Sequence, residues 1–356
     1  MKEPKLKVII FQMSIPSYRV PIFNKLAEYY DLTVVGSDDV VSPEKCKFKI
    51  EIEPYKAISK FIFHKSNLQR KAENYDVAIY LGNITILKYA LLPFKLHRRY
   101  KTIVWTIGVS ASRTKKYDAN KRWDFVRDFF YKKADACVFY SDYPIAKYIK
   151  RGFKQETLFV ANNTVEVVDS DVKLVKDSIL FIGSLYRQKG IFDLLESYSD
   201  ALEKKSNIPQ LNIIGGGEDF ENVKSWISER ALGEKIRLLG PVYDNIEKEK
   251  YFKKAFATIS PRQAGLGVLE SMGYGTPFIT SSDAITGGER FNIKDGETGI
   301  LYERKSDLKD IIIDISENPG KYIEMGENAA KYYKRHSNPE TMIRGFVDAI
   351  NYVIRK

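Results

Sequence analysis

The chain has 356 residues, 44% of them hydrophobic, and carries 57 Lys and Arg against 46 Asp and Glu, a formal net charge of +11. That length exceeds one ordinary core and fits two domains, and the composition excludes a low-complexity or repeat protein. Two cysteines, Cys46 and Cys137, exclude a disulfide scaffold, and three scattered histidines, His64, His97 and His336, exclude a His-rich metal site.

Lys5-Leu-Lys-Val-Ile-Ile-Phe-Gln12 reads as a first parallel strand. Its apolar run is too short for a signal-peptide core, and no stretch approaches the ~20 apolar residues of a membrane span. A cytoplasmic protein is expected, with peripheral attachment to the inner face of the plasma membrane left open. A helix over 20–30 and a strand over 32–35 follow, then a loop-rich stretch and a strand over 77–81. Next come a helix over 84–94, a strand over 102–106, a helix over 122–131, a strand over 136–140, a helix over 144–150 and a strand over 157–160. A linker is expected at 163–176. The second half repeats the scheme: strand 178–182, helix 191–203, strand 210–214, helix 220–232, strand 235–238, helix 246–255, a strand within 255–260, a helix carrying Glu270, and a strand over 277–280. A last helix covers 339–355. Alternation of this kind predicts an α/β fold with doubly wound parallel sheets, which bind ligands beyond their strand C-termini.

The excess charge sits in the first half: residues 1–170 carry a net +12 and residues 171–356 a net −1. The segment 113–133 holds eight basic and three acidic residues, with Trp123, Phe125, Phe129, Phe130 and Tyr131 between them, and 91–100 is a second basic and apolar stretch. Two readings stand level: shallow docking on an anionic membrane surface, or aromatics in a core beneath a solvated charged face. No nucleic-acid module is present, so nucleic acid is not expected as a partner. Asp169-Ser-Asp171 places two carboxylates in an Asp-x-Asp form that suits a divalent cation, but it falls in the linker. A solvated linker is the stronger reading, and neither a metal nor a cofactor is expected.

The stretch Ser260-Pro-Arg-Gln-Ala-Gly-Leu-Gly-Val-Leu-Glu270 combines a strand end, a glycine-punctuated loop and a helix start. Backbone N–H groups and the helix dipole at such a junction favour an anion. Gly265 and Gly267 permit close approach of a phosphate, and Glu270, one turn in, can accept from a ribose diol. An ordinary strand–turn–helix unit explains the same glycines.

Four further motifs occur in order: Phe181-Ile-Gly183-Ser-Leu-Tyr-Arg-Gln-Lys189-Gly190, Leu211-Asn-Ile-Ile-Gly215-Gly-Gly217-Glu218, Ile236-Arg-Leu-Leu-Gly240-Pro-Val242 and Asp295-Gly-Glu-Thr-Gly299-Ile-Leu301. Together with the 260–277 stretch they resemble the donor-site signature of retaining GT-B glycosyltransferases, the family 4 type known as glycosyl transferases group 1. The resemblance covers about 160–335. It implies a GT-B-like fold of two Rossmann-like domains with parallel sheets facing a central cleft. The domains would be an acceptor domain at 1–165 and a donor domain at 166–338, with a C-terminal helix at 339–356 returning to the first.

The resemblance further implies transfer of a sugar from a UDP- or GDP-linked donor, with retention and without metal, to a sugar or polyprenyl-linked glycolipid acceptor in surface polysaccharide assembly. Gly183, Ser184, Arg187 and Lys189 would meet the diphosphate, with Gly265, Leu266, Gly267 and Val268. Pro241 and Val242 would meet the base and Glu270 the ribose. Ser14, Tyr18, Arg19 and Gly108 lie where relatives face the acceptor; a capped turn at Ser17 accounts for 14–21 equally well. Glu289 lies in a loop suited either to the donor sugar or to a surface turn.

Three departures bear on activity. Arg262 stands where the family has a Glu eight residues before Glu270, Ser184 where it has Arg, and Ile107 where relatives often have His. Lys189 and Arg262 are the candidate catalytic residues. The alternatives are a catalytically inactive GT-B protein that binds a nucleotide sugar as a partner or sensor, and a different enzyme on two Rossmann-like domains, such as an epimerase or a dinucleotide enzyme.

Overall fold

The computed structural model describes residues 4–38, 43–110, 117–118, 124–168, 170, 172 and 174–356. Their contacts form two compact units. One comprises the described residues within 4–110, 118–166 and 339–356, and the other Tyr117 with those within 167–338.

In the first unit, β1 (Lys7–Phe11) leads to α1 (Val20–Tyr29), β2 (Asp31–Gly36), β3 (Lys49–Ile52), a ribbon of β4 (Tyr55–Ile58) and β5 (Phe61–His64), and α2 (Leu68–Ala72). There follow β6 (Val77–Leu81), α3 (Leu87–Ala90), β7 (Lys101–Thr106), α4 (Asp124–Tyr131), β8 (Ala136–Phe139), α5 (Ile145–Lys150) and β9 (Leu158–Val160). Seven strands pair in parallel in the order β3-β2-β1-β6-β7-β8-β9. Period-2 alternation builds both faces. Along β1, Val8 and Ile10 join the core shared with α1, while Ile9 and Phe11 join the opposite core with Tyr89, Tyr131 and Tyr148.

The second unit repeats this plan. In chain order it contains β10 (Ser178–Ile182), α6 (Ile191–Lys204), β11 (Gln210–Ile214), α7 (Phe220–Glu229), β12 (Ile236–Gly240), α8 (Asn245–Lys254), β13 (Ala255–Ile259), β14 (Gln263–Ala264) and α9 (Gly267–Gly273). Then come β15 (Phe278–Ser281), β16 (Ile285–Thr286), β17 (Gly299–Tyr302), α10 (Lys305–Glu317) and α11 (Pro319–Tyr332). The sheet order is β12-β11-β10-β13-β15-β17, all parallel, and β14 pairs with β16 in a separate short ladder. A π-helical turn, Tyr333–Ser337, passes the chain to α12 (Pro339–Arg355), which packs on β7, β8, β9 and α1 of the first unit. Met342, Phe346, Ala349, Ile350 and Val353 form its buried stripe, the spacing of one helix face.

The α/β class with parallel sheets agrees with the sequence reading, and its local details correct that reading. The stretch expected to be loop-rich before β6 contains β3, the ribbon and α2. The helix expected over 84–94 is α3 followed by a separate 3-10 turn at Leu92–Phe94, where Pro93 cannot continue an α-helical ladder. Helix α8 ends at Lys254, and Ala255 already belongs to β13. Trp123, Asp169 and Asp171 lie outside the described residues. Among the described residues, no helix is long and apolar enough to cross a membrane.

Candidate functional site

In the second sheet the strand order reverses direction between β10 and β13, which makes their C-terminal ends a switch point where α/β sheets bind ligands. The motif residues follow these ends: Gly183 after β10, Gly215 after β11, Pro241 after β12, Ser260 after β13. The first two loops run backbone against backbone. A Cβ at Gly215 would strike the Gly183 carbonyl, and Gly215 holds φ 149°, so a side chain there would separate the loops.

Lys189 ends a 3-10 turn, Arg187–Lys189, and Gly190 at φ 78° then opens α6. The Lys189 ammonium lies over the α-carbon of Gly183, where a side chain would collide with it. Burial holds its pKa below the ordinary lysine value. Among the described residues no carboxylate is paired with it, and the Tyr186 ring lies 5.9 Å away. A desolvated cation without a counterion is costly, and an anion at the end of β10 removes that cost.

Gly265 and Gly267 serve this geometry differently from a strained turn. Neither has positive φ. A Cβ at Gly265 would meet nothing within 4 Å, and one at Gly267 only the Phe278 ring at 3.9 Å. The protein's own packing therefore does not require glycine here, and the open space suits close approach of a ligand. Leu266 precedes the first residue of α9. Val268 is buried, and its N–H is taken by the Gly265 carbonyl at 2.9 Å.

Glu270 is engaged by a residue the sequence reading did not single out. Lys248 on α8 donates to its Oε1 at 2.7 Å, and both side chains are about four-fifths buried. Gly240, at φ 73°, turns the chain at the end of β12 into exposed Pro241 and half-buried Val242.

Arg262 points to α6. Its guanidinium grips the Asp193 carboxylate through Nε and through Nη2 at 2.9 Å, and Lys305 reaches the same carboxylate at 3.1 Å and Glu196 at 2.6 Å. The charge inversion seen in the sequence is thus balanced from within the unit. Arg262, Arg187, Asp193 and Lys305 wall a cavity of about 550 Å³, where Asp219 Oδ2 is buried with no hydrogen-bond partner among the described residues. A neighbouring cavity of about 500 Å³ is walled by Leu185, Tyr186, Gly217 and Gln263. Ser184 is exposed. Glu289 is buried and turned inward, accepting from the Gly287 N–H at 2.9 Å and facing the Thr286 hydroxyl at 3.3 Å, so it holds its own turn.

The residues expected on the acceptor side separate by burial. Ser14 and Tyr18 are exposed. Arg19 is buried: its guanidinium lies 4.7 Å over the Trp105 ring and donates to Asn163 Oδ1 at 2.7 Å. No side-chain cap forms at Ser17, which instead begins a 3-10 turn. Gly108, at φ 79°, is packed under Phe139 and Pro144. In the basic stretches, 113–116 and 119–123 lie outside the described residues, and the described residues divide likewise. Tyr131, Leu92 and Tyr100 are buried while Phe125, Phe129, Leu91 and Leu96 are exposed. Arg98 pairs with Asp135, Lys95 with Glu73, and Arg127 and Arg151 with Asp124 and Asp128.

Comparison with known proteins places this arrangement. Residues 166–332 match the model of "Glycosyl transferases group 1". The chain is 28% identical over 250 residues to the poly(glycerol-phosphate) alpha-glucosyltransferase of Bacillus subtilis, covering 67% of this chain and 36% of that protein. It is 30% identical over 189 residues to the lipopolysaccharide 1,6-galactosyltransferase of Salmonella typhimurium, covering 48% and 51%. The matches thus span between a third and about half of these two curated relatives. Among solved structures, Anabaena HepE in complex with UDP superposes with a TM-score of 0.72 at 14% identity, over 97% of this chain and 100% of that one. TarM superposes with a TM-score of 0.71 at 12% identity, over 99% and 100%. This chain therefore has the GT-B glycosyltransferase fold, and within it residues 166–332 match the glycosyl transferases group 1 family model.

Proposed function

We propose that this chain is a glycosyltransferase that moves a sugar from a nucleoside diphosphate sugar to a hydroxyl acceptor, with retention at the anomeric carbon and without a metal. The observation that carries this reading is the Lys189 ammonium, desolvated and held over Gly183 at the switch point of a parallel sheet. Departure of a nucleoside diphosphate builds negative charge on its phosphate, and a fixed cation in a water-poor site stabilises that charge. Lys189 meets the diphosphate together with the open loop at Gly265–Gly267, and Arg187 stands on the adjoining cavity. Glu270 accepts from the ribose, and the turn at Pro241 and Val242 meets the base. A UDP-linked donor is favoured over a GDP-linked one, supported by the HepE complexes with UDP and UDP-glucose. The acceptor is a sugar or a polyprenyl-linked glycolipid of surface polysaccharide assembly, supported by the names of the Bacillus and Salmonella relatives.

Binding of a nucleotide to the folded chain raises its melting temperature by mass action. UDP is expected to raise it with and without Mg²⁺, and Glu270→Ala to abolish the rise. No rise with UDP, GDP or their sugars would remove the donor assignment. The anomeric configuration of the product, read by NMR, tests retention.

A further inference from the structure

Strands β4 and β5 form a two-stranded ribbon outside both large sheets, turning through Ser59 at φ 55°. Side chains alternate faces along a strand, and directly opposed residues share a face. The register Tyr55↔His64, Lys56↔Phe63, Ala57↔Ile62 and Ile58↔Phe61 therefore sorts the ribbon into two faces. The inner face is anchored. His64 is buried, with Nε2 2.8 Å from Ser37 Oγ and its ring stacked 4.9 Å from that of Tyr89, and Ile62 bridges to Ile86.

The outer face presents Lys56, Ile58, Phe61 and Phe63, with Lys60 at the turn and Lys65 just beyond β5. Ile58 is 55% exposed, Phe61 38% and Phe63 37%. Residues 54–66 contain three lysines and no carboxylate. Among the described residues none of the three is ion-paired, and Lys60 leans 5.5 Å over the Phe61 ring. A ribbon face meant for water is polar, and the buried centre of a protein interface is depleted in lysine. Large apolar side chains flanked by lysines suit the boundary of an anionic bilayer. There the apolar groups enter the acyl region while lysine stems lie along them and the ammonium groups reach lipid phosphates.

We propose that this ribbon docks the chain on an anionic lipid bilayer through Ile58, Phe61 and Phe63, with Lys56, Lys60 and Lys65 holding the headgroups. The proposal goes beyond the donor reading and stands apart from it, because the ribbon lies in the first unit and the nucleotide site in the second. Loss of UDP binding and loss of lipid binding are separate results.

The test is co-sedimentation of the full chain with phosphatidylcholine vesicles, alone or containing about one third phosphatidylglycerol. Binding is expected only to the anionic vesicles and weakens as salt rises. Each lysine near such a surface contributes roughly fivefold, so Lys56→Gln/Lys60→Gln/Lys65→Gln is expected to weaken partitioning by on the order of a hundredfold. Ile58→Ser/Phe61→Ser/Phe63→Ser is expected to weaken it tenfold or more while retaining the UDP-induced rise in melting temperature. In Phe61→Trp the added indole emission should shift to the blue on anionic vesicles only. Equal binding to neutral vesicles, unchanged binding of either triple variant, or no emission shift overturns the proposal. So does a dimer in solution that the serine variant dissolves, which would assign the face to a second copy.

Discussion

Arg262 shows how a single residue's role depends on its partner. In the sequence it inverts the charge of the family's Glu; in the fold it is clasped by Asp193, with Lys305 sharing the carboxylate. Because Arg262 is more than half exposed, Arg262→Ala is expected to cost only about 1 kcal/mol. Arg262→Glu sets a carboxylate against Asp193 and Glu196 and lowers the melting temperature further. Combining Arg262→Glu with Asp193→Arg recovers much of the loss, as a double-mutant thermal series would show.

Lys189 carries a pH signature. Burial lowers its pKa in the free protein, and a bound diphosphate raises it, so binding takes up a proton once the pH exceeds the lowered value. UDP affinity is therefore expected to fall as pH rises through that value, before an ordinary lysine titrates. Lys189→Arg removes the fall and Lys189→Met weakens binding by roughly tenfold or more at neutral pH; calorimetry across pH measures both. Lys248 acts on Glu270 as a positioning residue. Lys248→Met is expected to weaken UDP by several-fold, with little effect on 2′-deoxy-UDP, and Lys248→Arg to restore it.

At the level of elements, one contact set against local propensity is informative. Gly345 sits inside α12, where Ala is intrinsically better by roughly 1 kcal/mol. Yet a Cβ there would run into the Val160 carbonyl of β9, a rigid strand backbone that cannot yield cheaply. Gly345→Ala is accordingly expected to lower the melting temperature. The ribbon's anchor has its own pH dependence. Burial, opposed by Glu53 and reinforced by Lys88, keeps the His64 pKa below 6.5. The unfolded chain then binds a proton that the folded chain refuses, so this stability is complete above pH 6.5 and is lost as pH falls through the lowered value. Thermal denaturation of wild type and His64→Phe between pH 8 and about 5 should show the dependence only in wild type.

For the molecule as a whole, the two units have separate cores, yet one of them is completed by the last 18 residues of the chain. Phe346 and Trp105 meet edge to face at 4.9 Å across that closure. Phe346→Ala is expected to cost about 3–5 kcal/mol, and calorimetry should assign the loss to the first unit while UDP stabilisation of the second persists.

The parallel strands and the motif loops were legible in the sequence because they depend on near neighbours. A run such as Val8-Ile-Ile-Phe11 is buried on both faces whatever its partners, and glycines mark strand ends locally. The span of α12 was legible for the same reason, through its apolar stripe. Three features were decided only by tertiary structure. Lys248 lies 22 residues from Glu270 and Asp193 lies 69 from Arg262, separations at which no local pattern announces an ion pair. The ribbon leaves no clear strand signal in the sequence, because its apolar residues are interrupted by lysines and it joins no large sheet. The sequence by itself determined which groups are present and which local elements they form, since both follow from periodicity and backbone preference. Which charges are neutralised, which aromatics face outward and which cation is left over Gly183 were decided by packing, because those depend on distances that only the folded chain sets.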